Sequence, residues 1–465
     1  MTGPAEKLNS CIPFIIIMIQ QFANRKAELA FLEERFRDGR PQLVILYGRR
    51  RTGKTSVVRE FLNRHEGIYH LCTKDSVRDN VARFGATASR CLGKPFLGAV
   101  DSWEGALAAV ADAAGKRIPV AIDEFPYLIE IDAAIPSLFQ HLWDEALSKN
   151  PQAYLIICGS SIGMMETEVL GTQSPLYGRR TGAWKLEPFA MPDMRRLFGG
   201  LDIETFLRVW GFFGDVPAYF LQYDQGRPFL DNVKSAILTK GAFLFDEPLL
   251  LLREEFREPR NLHLILRHMA AGHSTPGKIQ NAAGIDRGNI SKYLEMLQET
   301  GIVGYERLEH RKRGGIYFIA DNFLDFWWRN VQPHGSDLEM HNVDEVAARI
   351  DFNGHMARMA ERAVRAVLRL KGWRTTRFIF KGTEIDILAY DDRRRVCLTG
   401  EVKWQSRPAD HRVLEDLEEK SALVQPPAGY KRELLLFSRK GFRDEEGLRE
   451  KATLWTPETL DAMLK

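Results

Sequence analysis

The residues with the clearest chemical signature lie in one short segment, 48–55, which reads Gly-Arg-Arg-Arg-Thr-Gly-Lys-Thr. This spacing matches the phosphate-binding loop G-x-x-x-x-G-K-[ST], in which backbone N–H groups, a lysine and a hydroxyl surround nucleotide phosphates. Lys54 would reach the β- and γ-phosphates of ATP, and the Thr55 hydroxyl would bind Mg²⁺. The residues predicted to contact the nucleotide are Gly48, Arg49, Arg50, Arg51, Thr52, Gly53, Lys54, Thr55 and Ser56.

A second pair of candidate residues, Asp123 and Glu124, follows the apolar segment 117–122. Asp123 would hold Mg²⁺, directly or through water, and Glu124 would orient or deprotonate the water that attacks the γ-phosphate. An acidic turn after an ordinary strand has the same composition. The phosphate loop upstream favours the catalytic interpretation.

Both sets of residues need one sheet to bring them together. Residues 43–47 form a short apolar run typical of a buried parallel strand, and residues 56–63 have the pattern of an amphipathic helix. A strand, a glycine-containing turn and a helix N-terminus aim backbone N–H groups and a partial positive charge at a phosphate. Asp123 would reach the carboxyl edge of the same sheet, where ligands bind. The sequence therefore predicts an α/β fold with the parallel sheet of a P-loop NTPase.

Two further candidates for phosphate chemistry lie downstream. Residues 153–158 are a third apolar strand that leads into a Gly-Ser-Ser turn. Ser160 or Ser161 could sense the γ-phosphate, although a simple turn explains them equally well. Arg179 and Arg180 lie in a glycine-flanked segment, and either could act as an arginine finger, which requires a rigid bidentate cation. A solvated loop is the alternative for this pair.

A separate set of chemical residues, Glu361, Asp386, Glu401 and Lys403, lies near the C-terminus. Carboxylates and a lysine on one sheet face can hold Mg²⁺ and activate a water for attack on a phosphodiester. The elements expected to position them are a helix over 354–370, strands over 373–380, 384–390 and 396–402, and a turn at 391–393. Strand alternation puts Glu401 and Lys403 on the same face. The alternative is a fold kept for packing, with Lys403 and Glu401 as a buried ion pair.

Between these two regions, residues 259–320 have the pattern of three helices followed by two short strands. The predicted elements are 261–270, a helix with Thr275 as N-cap, 289–300, 305–308 and 316–319. The loop 309–315 is strongly basic, as in a winged helix-turn-helix. The predicted DNA contacts are Arg287, Asn289, Ser291 and Lys292 in the major groove, with Arg311, Lys312 and Arg313 at phosphates. Docking to a protein is the alternative, because Glu295 and Glu299 lower the positive charge of the third helix.

Six segments together carry a family resemblance: Phe22-Ala23-Asn24-Arg25 with Glu28-Leu29, Tyr47-Gly48-Arg49-Arg50-Arg51, Ile122-Asp123-Glu124-Phe125, Cys158-Gly159-Ser160-Ser161, Leu176-Tyr177-Gly178-Arg179 and Val216-Pro217-Ala218-Tyr219. The chain resembles the archaeal-type P-loop ATPases of the AAA+/STAND group. The resemblance implies that Asn24 and Arg25 lie near the adenine of the nucleotide and that Val216 and Pro217 belong to a helical lid. The family usually has a second glycine before that valine, where this chain has Asp215, so the geometry of this turn stays open.

Two C-terminal segments, Glu384-Ile385-Asp386 and Gly400-Glu401-Val402-Lys403-Trp404, carry a second resemblance. They resemble the core of PD-(D/E)xK nucleases and, more closely, the C-terminal domain that often accompanies this ATPase family. Ile385 replaces the proline of the nuclease motif. The resemblance implies a metal-dependent phosphodiester site at the carboxylates and Lys403.

Composition sets few limits on function. At 465 residues the chain is too long for one core, and its 45% hydrophobic and 27% charged residues are those of an ordinary globular protein. The net charge of +3 neither requires nor excludes nucleic acid. The 5 cysteines are scattered, which fits a reducing cytoplasm and gives no zinc site. The apolar residues 11–19 are too few to span a bilayer. They form either a buried strand or, as we favour, an extension before a native start at Met18.

The predicted domains are an N-terminal extension (1–19), a P-loop ATPase core (20–190), a helical lid (191–258), a winged helix (259–320), a linker and packing segment (321–340) and a nuclease-like domain (341–465). The leading hypothesis is a cytoplasmic enzyme that uses ATP and Mg²⁺, acts on DNA and forms a homo-oligomer through Arg179 or Arg180, with no membrane partner. The first alternative is a nucleotide-dependent switch that binds DNA or a protein, with an inactive nuclease fold. The second is a protein-docking ATPase that never touches nucleic acid.

Overall fold

The structure, a computed structural model, describes residues 25–94, 100–256, 258–309 and 314–465. Residues 1–19 with Met18, Asn24 and the wing residues Arg311, Lys312 and Arg313 lie outside this part of the chain. The described residues form two compact units. The first unit consists of residues up to Leu46, Lys54–Cys158 and Gly178–Trp184, and the second of Tyr47–Gly53, Gly159–Tyr177 and Lys185–Lys465.

The first unit is built on a parallel five-stranded sheet with the strand order β2-β3-β4-β1-β5. Its strands are β1 (Gln42–Tyr47), β2 (Ile68–Leu71), β3 (Val120–Asp123), β4 (Tyr154–Gly159) and β5 (Gly182–Lys185). Its helices are α1 (Lys26–Arg37), α2 (Lys54–His65), α3 (Val77–Leu92), α4 (Trp103–Ala114), α5 (Phe125–Ile131) and α6 (Ile135–Glu145), with a 3-10 turn at Leu147–Lys149. The central strands β3 and β4 are buried along their whole length, as expected for parallel strands covered by helices.

The second unit begins with short helices and continues through a helical region. These elements are α7 (Ile162–Met164), α8 (Met191–Leu197), α9 (Ile203–Phe213), α10 (Pro217–Phe220), α11 (Phe229–Val233) and α12 (Glu247–Glu255), with π-helical turns at Met165–Val169 and Lys234–Leu238. Helix α9 is stabilised at its start by the Asp202 side chain, which accepts the Thr205 N–H. Gly214 ends α9 with φ +72°. The positive φ therefore lies at Gly214, so the turn before Val216 forms without a second glycine at Asp215.

Three helices and a hairpin follow, in the order that the sequence predicts. They are α13 (Pro259–Ala270), α14 (Pro276–Ala283), α15 (Ile290–Glu299), β6 (Val303–Arg307) and β7 (Gly315–Ile319). Thr275 stands at the N-cap of α14, but its side chain makes no capping hydrogen bond, unlike the predicted cap. The hairpin contacts the C-terminal sheet: the Thr376 hydroxyl donates to the Arg307 carbonyl, and Arg377 pairs with Glu306.

A mixed sheet in the order β12-β11-β10-β9-β8 forms the C-terminal part of the second unit. Its elements are α19 (Phe352–Leu370), β8 (Arg374–Phe380), β9 (Thr383–Asp391), β10 (Val396–Lys403), α20 (His411–Ala422), β11 (Lys431–Ser438), α21 (Glu445–Arg449), β12 (Thr453–Trp455) and α22 (Pro457–Leu464), preceded by α16 (Asn322–Phe326), α17 (Gly335–Glu339) and α18 (Val343–Arg349). Alternate residues of β9 point to opposite faces. Ile387 joins the core that contains α19, and Leu388 joins the core under α20.

The predicted segments 191–258, 259–320 and 341–465 share one hydrophobic core in the second unit. Residues 321–340 were predicted to be a linker and packing segment, and the burial of Asn322–Phe326 and of the π-helical turn Trp327–Val331 in that core agrees with the packing part. In the remainder, Pro333 and Gly335, residue types that also signal linkers, lie in a 3-10 turn and in the first turn of α17. Proline is tolerated at the first positions of a helix, so it starts these turns rather than breaking the chain. Among the described residues, no helix is long and apolar enough to cross a membrane.

Candidate functional site

The phosphate loop forms a tight turn between β1 and α2. Gly48 and Gly53 have φ of +148° and +94°, and the Thr52 hydroxyl closes the turn by donating to the Arg49 carbonyl at 2.7 Å. A Cβ on Gly48 would lie 2.4 Å from the Leu186 carbonyl oxygen, so this position requires glycine. Arg51 also has a positive φ, +71°, although it is not glycine. The loop thus has the strained, compact backbone that phosphate-binding turns need.

In the first unit, Thr55 on α2 and Asp123 at the end of β3 are in direct contact. The Thr55 hydroxyl donates to Asp123 Oδ2 at 2.8 Å, and the Tyr69 hydroxyl donates to the same oxygen at 2.7 Å. Lys54 is the first residue of α2 and is buried. The sequence placed Thr55 and Asp123 around one Mg²⁺, and their contact brings together the hydroxyl and carboxylate oxygens that this ion prefers.

Glu124 has a strained backbone directly after β3. Its φ and ψ are +54° and +43°, and its N–H donates to Asp123 Oδ1 at 3.0 Å. A non-glycine residue in the left-handed region costs about 1–3 kcal/mol and persists where the surroundings enforce it, often at functional sites. This backbone conformation turns the chain directly after Asp123, the last residue of β3. Glu124 therefore does not continue in the direction of the strand.

The remaining predicted nucleotide residues have varied surroundings. Arg25 is buried and pairs with Glu28 at 2.9 Å within the first unit. Ser160, in the second unit, is buried directly after β4. Arg179 makes a bidentate ion pair with Asp144, with its Nε 3.1 Å from Oδ1 and its Nη2 2.9 Å from Oδ2, whereas Arg180 is exposed.

The three arginine side chains of the phosphate loop contact carboxylates within the second unit. Arg49 Nη1 lies 2.7 Å from Asp321, Arg51 is bidentate with Glu247 at 3.1 and 3.2 Å, and Arg50 Nε lies 3.4 Å from Glu254. The sequence predicted these arginines as nucleotide contacts. In this structure their side chains are engaged elsewhere, which leaves their backbone N–H groups as the predicted phosphate donors.

At the C-terminal sheet, the predicted carboxylates lie where β9 and β10 separate. The two strands pair from Val396 with Asp391 to Gly400 with Ile387. Beyond that point Asp386 Oδ2 accepts the Val402 N–H at 2.9 Å in place of a ladder bond. Odd-numbered residues of β10 face α20, since the Thr399 hydroxyl donates to Ser421 at 2.9 Å. Glu401 and Lys403 therefore share the α20 face, as strand alternation predicted.

Glu401 is held by lysines from a strand and from a helix. Lys403 Nζ lies 2.7 Å from Glu401 Oε1, and Lys420 Nζ on α20 lies 3.0 Å from Oε2. Glu361 on α19 pairs with Arg365 at 2.9 Å. The ion pair of Lys403 with Glu401 is the one expected if the fold is kept only for packing. Asp386 and Glu361 are not part of this ion pair.

The carboxylates of this C-terminal cluster repel one another. Burial and the charge of Asp386 raise the pKa of Glu361 to about 7, and burial and the charge of Glu401 raise the pKa of Asp386 to about 6. No group of three or more His, Cys, Asp or Glu side chains in the described residues is arranged to hold a metal ion. The carboxylates are thus close enough to interact electrostatically but are not preassembled as a metal site.

The predicted DNA-binding residues at the start of α15 are all exposed: Arg287, Asn289, Ser291 and Lys292. Glu295 is also exposed on this helix, as the docking alternative noted. The surface offers positive and polar groups for a nucleic acid, and Asp286 and Glu299 are further exposed negative groups on or beside this helix.

Comparison with known proteins identifies the family. A family model described as an ATPase domain predominantly from Archaea matches residues 22–222. The uncharacterized protein MJECL04 of Methanocaldococcus jannaschii is 32% identical over 422 residues, covering 87% of this chain and 92% of that protein. The chain belongs to the family of this archaeal protein, and it is an ATPase. The uncharacterized ATP-binding protein MJ0423 of the same organism is 52% identical over 44 residues, which are 10% of this ATPase and 75% of that protein.

The C-terminal part of the ATPase matches a second family model, described as archaeal and bacterial proteins of unknown function, over residues 327–418. The range includes all four residues predicted for the C-terminal site: Glu361, Asp386, Glu401 and Lys403. Among solved structures, the Walker-type ATPase paby2304 of Pyrococcus abyssi is 21% identical with a TM-score of 0.49, covering 65% of this chain and 95% of that one. Cdc6p of Pyrobaculum aerophilum is 15% identical with a TM-score of 0.37, covering 71% and 97%.

Two residues that contact the sites of the ATPase were not predicted from the sequence. Tyr69 lies on β2, and its bond to Asp123 depends on the parallel pairing of β2 with β3. Lys420 lies in a charged run of α20, whose apolar periodicity marks its buried face but not the partner of its lysine. Neither residue belongs to a motif. A prediction of sheet order would have placed Tyr69 beside β3, while Lys420 required the structure.

Replacing Tyr69 with phenylalanine is expected to raise the Mg²⁺ concentration needed for half-maximal ATP hydrolysis about tenfold, with a smaller change in kcat. The hydroxyl orients the Asp123 carboxylate, and loss of such an outer partner typically weakens metal binding about 10–100-fold. Magnesium titration of the ATPase rate measures this. Tyr154→Phe is the control, because its hydroxyl donates to the Leu32 carbonyl in the same unit. Identical titrations for the two variants would remove Tyr69 from this role.

Asp215 is expected to make the stability of the ATPase depend on pH. Burial and the charge of Asp321 raise its pKa to about 7. A carboxyl group whose pKa is raised by folding binds more protons in the folded state between about pH 4 and 7, so its contribution to stability falls as the pH rises through that range. Asp215→Asn should therefore raise the free energy of unfolding by about 1–3 kcal/mol at pH 8, and by less at pH 5.

Urea unfolding at pH 5 and pH 8 tests this expectation. The control is Asp231→Asn at an exposed position of α11. If Asp215→Asn changed the free energy of unfolding equally at both pH values, the raised pKa of Asp215 would be contradicted.

Proposed function

We propose that this ATPase acts on DNA and that residues 341–465 form a Mg²⁺-dependent, PD-(D/E)xK-like nuclease domain. The observation that carries the proposal is the proximity of Asp386 to Glu401 and Lys403 where β9 and β10 separate. Glu361 adds a third carboxylate, and the charge of Asp386 contributes to the raised pKa of Glu361. This is the donor set that a nuclease of this type requires.

The chemistry of the C-terminal cluster fits a magnesium ion. Asp386, Glu401 and Glu361 supply hard oxygen donors. Burial and neighbouring carboxylates raise the pKa values of Asp386 and Glu361, and a divalent cation would balance the negative charge of these carboxylates. When bound, the ion would neutralise charge on the phosphodiester. Lys403 would orient or deprotonate the attacking water, and Glu401 must first exchange its lysine contacts for metal contacts.

For ATP hydrolysis we assign the roles that the sequence predicts. Lys54 binds the β- and γ-phosphates, Thr55 and Asp123 hold Mg²⁺, and Glu124 activates water. Ser160 remains the proposed γ-phosphate sensor. Arg179, which pairs with Asp144, and Arg180, which is exposed, are both kept as candidates for an arginine finger in a homo-oligomer.

Residues 259–320 are proposed as a winged helix that contacts DNA through the start of α15 and the basic loop after β6. The exposure of Arg287 and Lys292 supports this assignment. Residues 191–258 are proposed as the helical lid. We keep the cytoplasmic location as a prediction from the scattered cysteines.

One observation favours the regulatory switch as a second candidate function. Lys403 and Lys420 both neutralise Glu401, and the described carboxylates do not form a ready metal site. A nuclease fold kept only for packing would have such ion pairs. In that case the protein would bind DNA or a protein partner according to its nucleotide state and cleave nothing.

Cleavage of DNA by the purified protein with Mg²⁺ or Mn²⁺ separates the two functions. We expect cleavage by the wild type and its loss in both Asp386→Ala and Lys403→Ala, on at least one of linear, circular and single-stranded substrates. Asp416→Ala, at an exposed position of α20, is the matched control and should cleave normally. No cleavage on any substrate, with ATP hydrolysis intact, would favour the switch and make Glu401 and Lys403 structural residues.

A further inference from the structure

Asp321 connects the phosphate loop to the start of a buried helix. Its Oδ2 lies 2.7 Å from Arg49 Nη1, and its Oδ1 accepts the Leu324 N–H at the N-terminus of α16 at 2.9 Å. Arg49 is 4% exposed and Asp321 6%. One carboxylate therefore serves both as the partner of a loop arginine and as a helix cap, so neither can shift without affecting the other.

A second contact holds the other end of the loop. Arg51, at φ +71°, is bidentate with the buried Glu247 at the start of α12. Tyr219 lies between the two contacts, because its hydroxyl donates to Glu247 at 3.3 Å and accepts from Arg49 at 3.4 Å. Arg49 and Arg51 are thus held in one hydrogen-bonded network, which fixes the positions of these two side chains.

Helix α16 in turn contacts α19, the helix that carries Glu361. Arg362 donates to Asn322 Oδ1 at 2.9 Å and to the Ile319 carbonyl at 2.8 Å. The fully buried Asp325 lies 3.7 Å from Arg362. Charged groups buried this deeply have few alternative partners, so these contacts form a continuous connection from the phosphate loop to α19.

We propose that Asp321 is a positioning residue for the ATPase reaction, and that through it the nucleotide occupancy of the phosphate loop is transmitted to α16 and α19. ATP attracts the backbone N–H groups of the loop toward its phosphates. This shift of the loop backbone changes the interaction of Arg49 with Asp321. Thermodynamic linkage requires that the coupling also acts in reverse with the same free energy, so changes at α16 alter the affinity for ATP. The proposal itself does not depend on the nuclease assignment; only an effect on DNA cleavage, through Glu361 on α19, would rest on the proposed function.

Asp321→Asn tests the proposal, because asparagine still caps a helix but lacks the charge that pairs with Arg49. We expect the Kd for ATP to rise about tenfold, within the usual range of coupling between sites. The control is Asp202→Asn, which changes another capping aspartate of the second unit, at α9, and should leave the Kd unchanged. Arg49→Lys is the second variant should Asp321→Asn fail to fold.

Hydrogen exchange supplies the readout that loss of a structural contact alone would not change. In the wild type and Asp202→Asn, a non-hydrolysable ATP analogue at saturation should slow exchange in Asn322–Phe326 and in Phe352–Leu370. In Asp321→Asn at saturation the change in Phe352–Leu370 should be lost. The same change in Asp321→Asn as in the wild type, or none in the wild type, would overturn the proposal. Because the experiment involves neither DNA nor cleavage, a failure of the nuclease assignment leaves it unaffected.

Discussion

Lys54→Ala is expected to lower kcat/KM for ATP hydrolysis by at least about 100–1,000-fold, the effect of removing one donor that stabilises transition-state charge. Lys54 is the first residue of α2, so we expect its ammonium group and the helix N-terminus to act on the same phosphates. Alanine favours helix and should keep α2 intact.

Release of inorganic phosphate under steady-state conditions measures this loss. Lys116→Ala is the control, because Lys116 lies in the same unit but forms an exposed pair with Glu66. Hydrolysis by Lys54→Ala within a few-fold of the wild-type rate would mean that the loop does not bind the reacting phosphates, and would remove the basis of the ATP site.

Glu124→Gln is expected to retain ATP binding and to lower kcat about 100–10,000-fold, the usual contribution of general acid–base catalysis. Glutamine has nearly the same shape as glutamate but cannot accept the proton of the attacking water. The left-handed backbone at Glu124 stays unchanged, because the substitution alters only the end of the side chain.

Equilibrium binding of a fluorescent ATP analogue, together with single-turnover hydrolysis, distinguishes binding from chemistry. Glu130→Gln on α5 changes a nearby glutamate that pairs with Lys74, and serves as the control. A normal rate in Glu124→Gln would exclude Glu124 as the base, whereas loss of ATP binding would indicate a structural role.

The parts of the ATP site that could be predicted from sequence are those encoded in adjacent residues. The apolar strand before Gly48, the glycine spacing and the start of α2 at Lys54 all follow from one contiguous segment. Asp123 could be assigned because a parallel sheet delivers strand ends to one edge, and its contact with Thr55 spans only 68 residues. The family comparison supports the ATPase assignment independently of this geometry.

Long-range charge pairing could not be predicted. Arg49 and Asp321 are 272 residues apart, and no periodicity relates an arginine of a turn to the cap of a distant helix. The loop arginines were therefore interpreted as ligand contacts, which is the common role of arginine near phosphates. Pro333, within the predicted linker and packing segment, is ambiguous in the sequence for a different reason. Proline and glycine signal both linkers and helix starts, and only the burial of Trp327 and Trp328 decides between them.

At the C-terminal sheet, strand alternation correctly placed Glu401 and Lys403 on one face, and their 2.7 Å contact follows from it. The divergence of β9 from β10 and the approach of Lys420 depend on how α20 packs on the sheet. These features determine whether the carboxylates bind a metal or pair with lysines, so the sequence could indicate the residues but not their state.

The rate of ATP hydrolysis with and without DNA tests most directly whether this ATPase acts on DNA. We predict that duplex or single-stranded DNA raises kcat, and that the increase shrinks with added salt because phosphate contacts release counterions. The Lys54→Ala protein provides the baseline. An active ATPase whose rate is the same with and without DNA at every salt concentration would contradict action on DNA and favour a protein-docking ATPase.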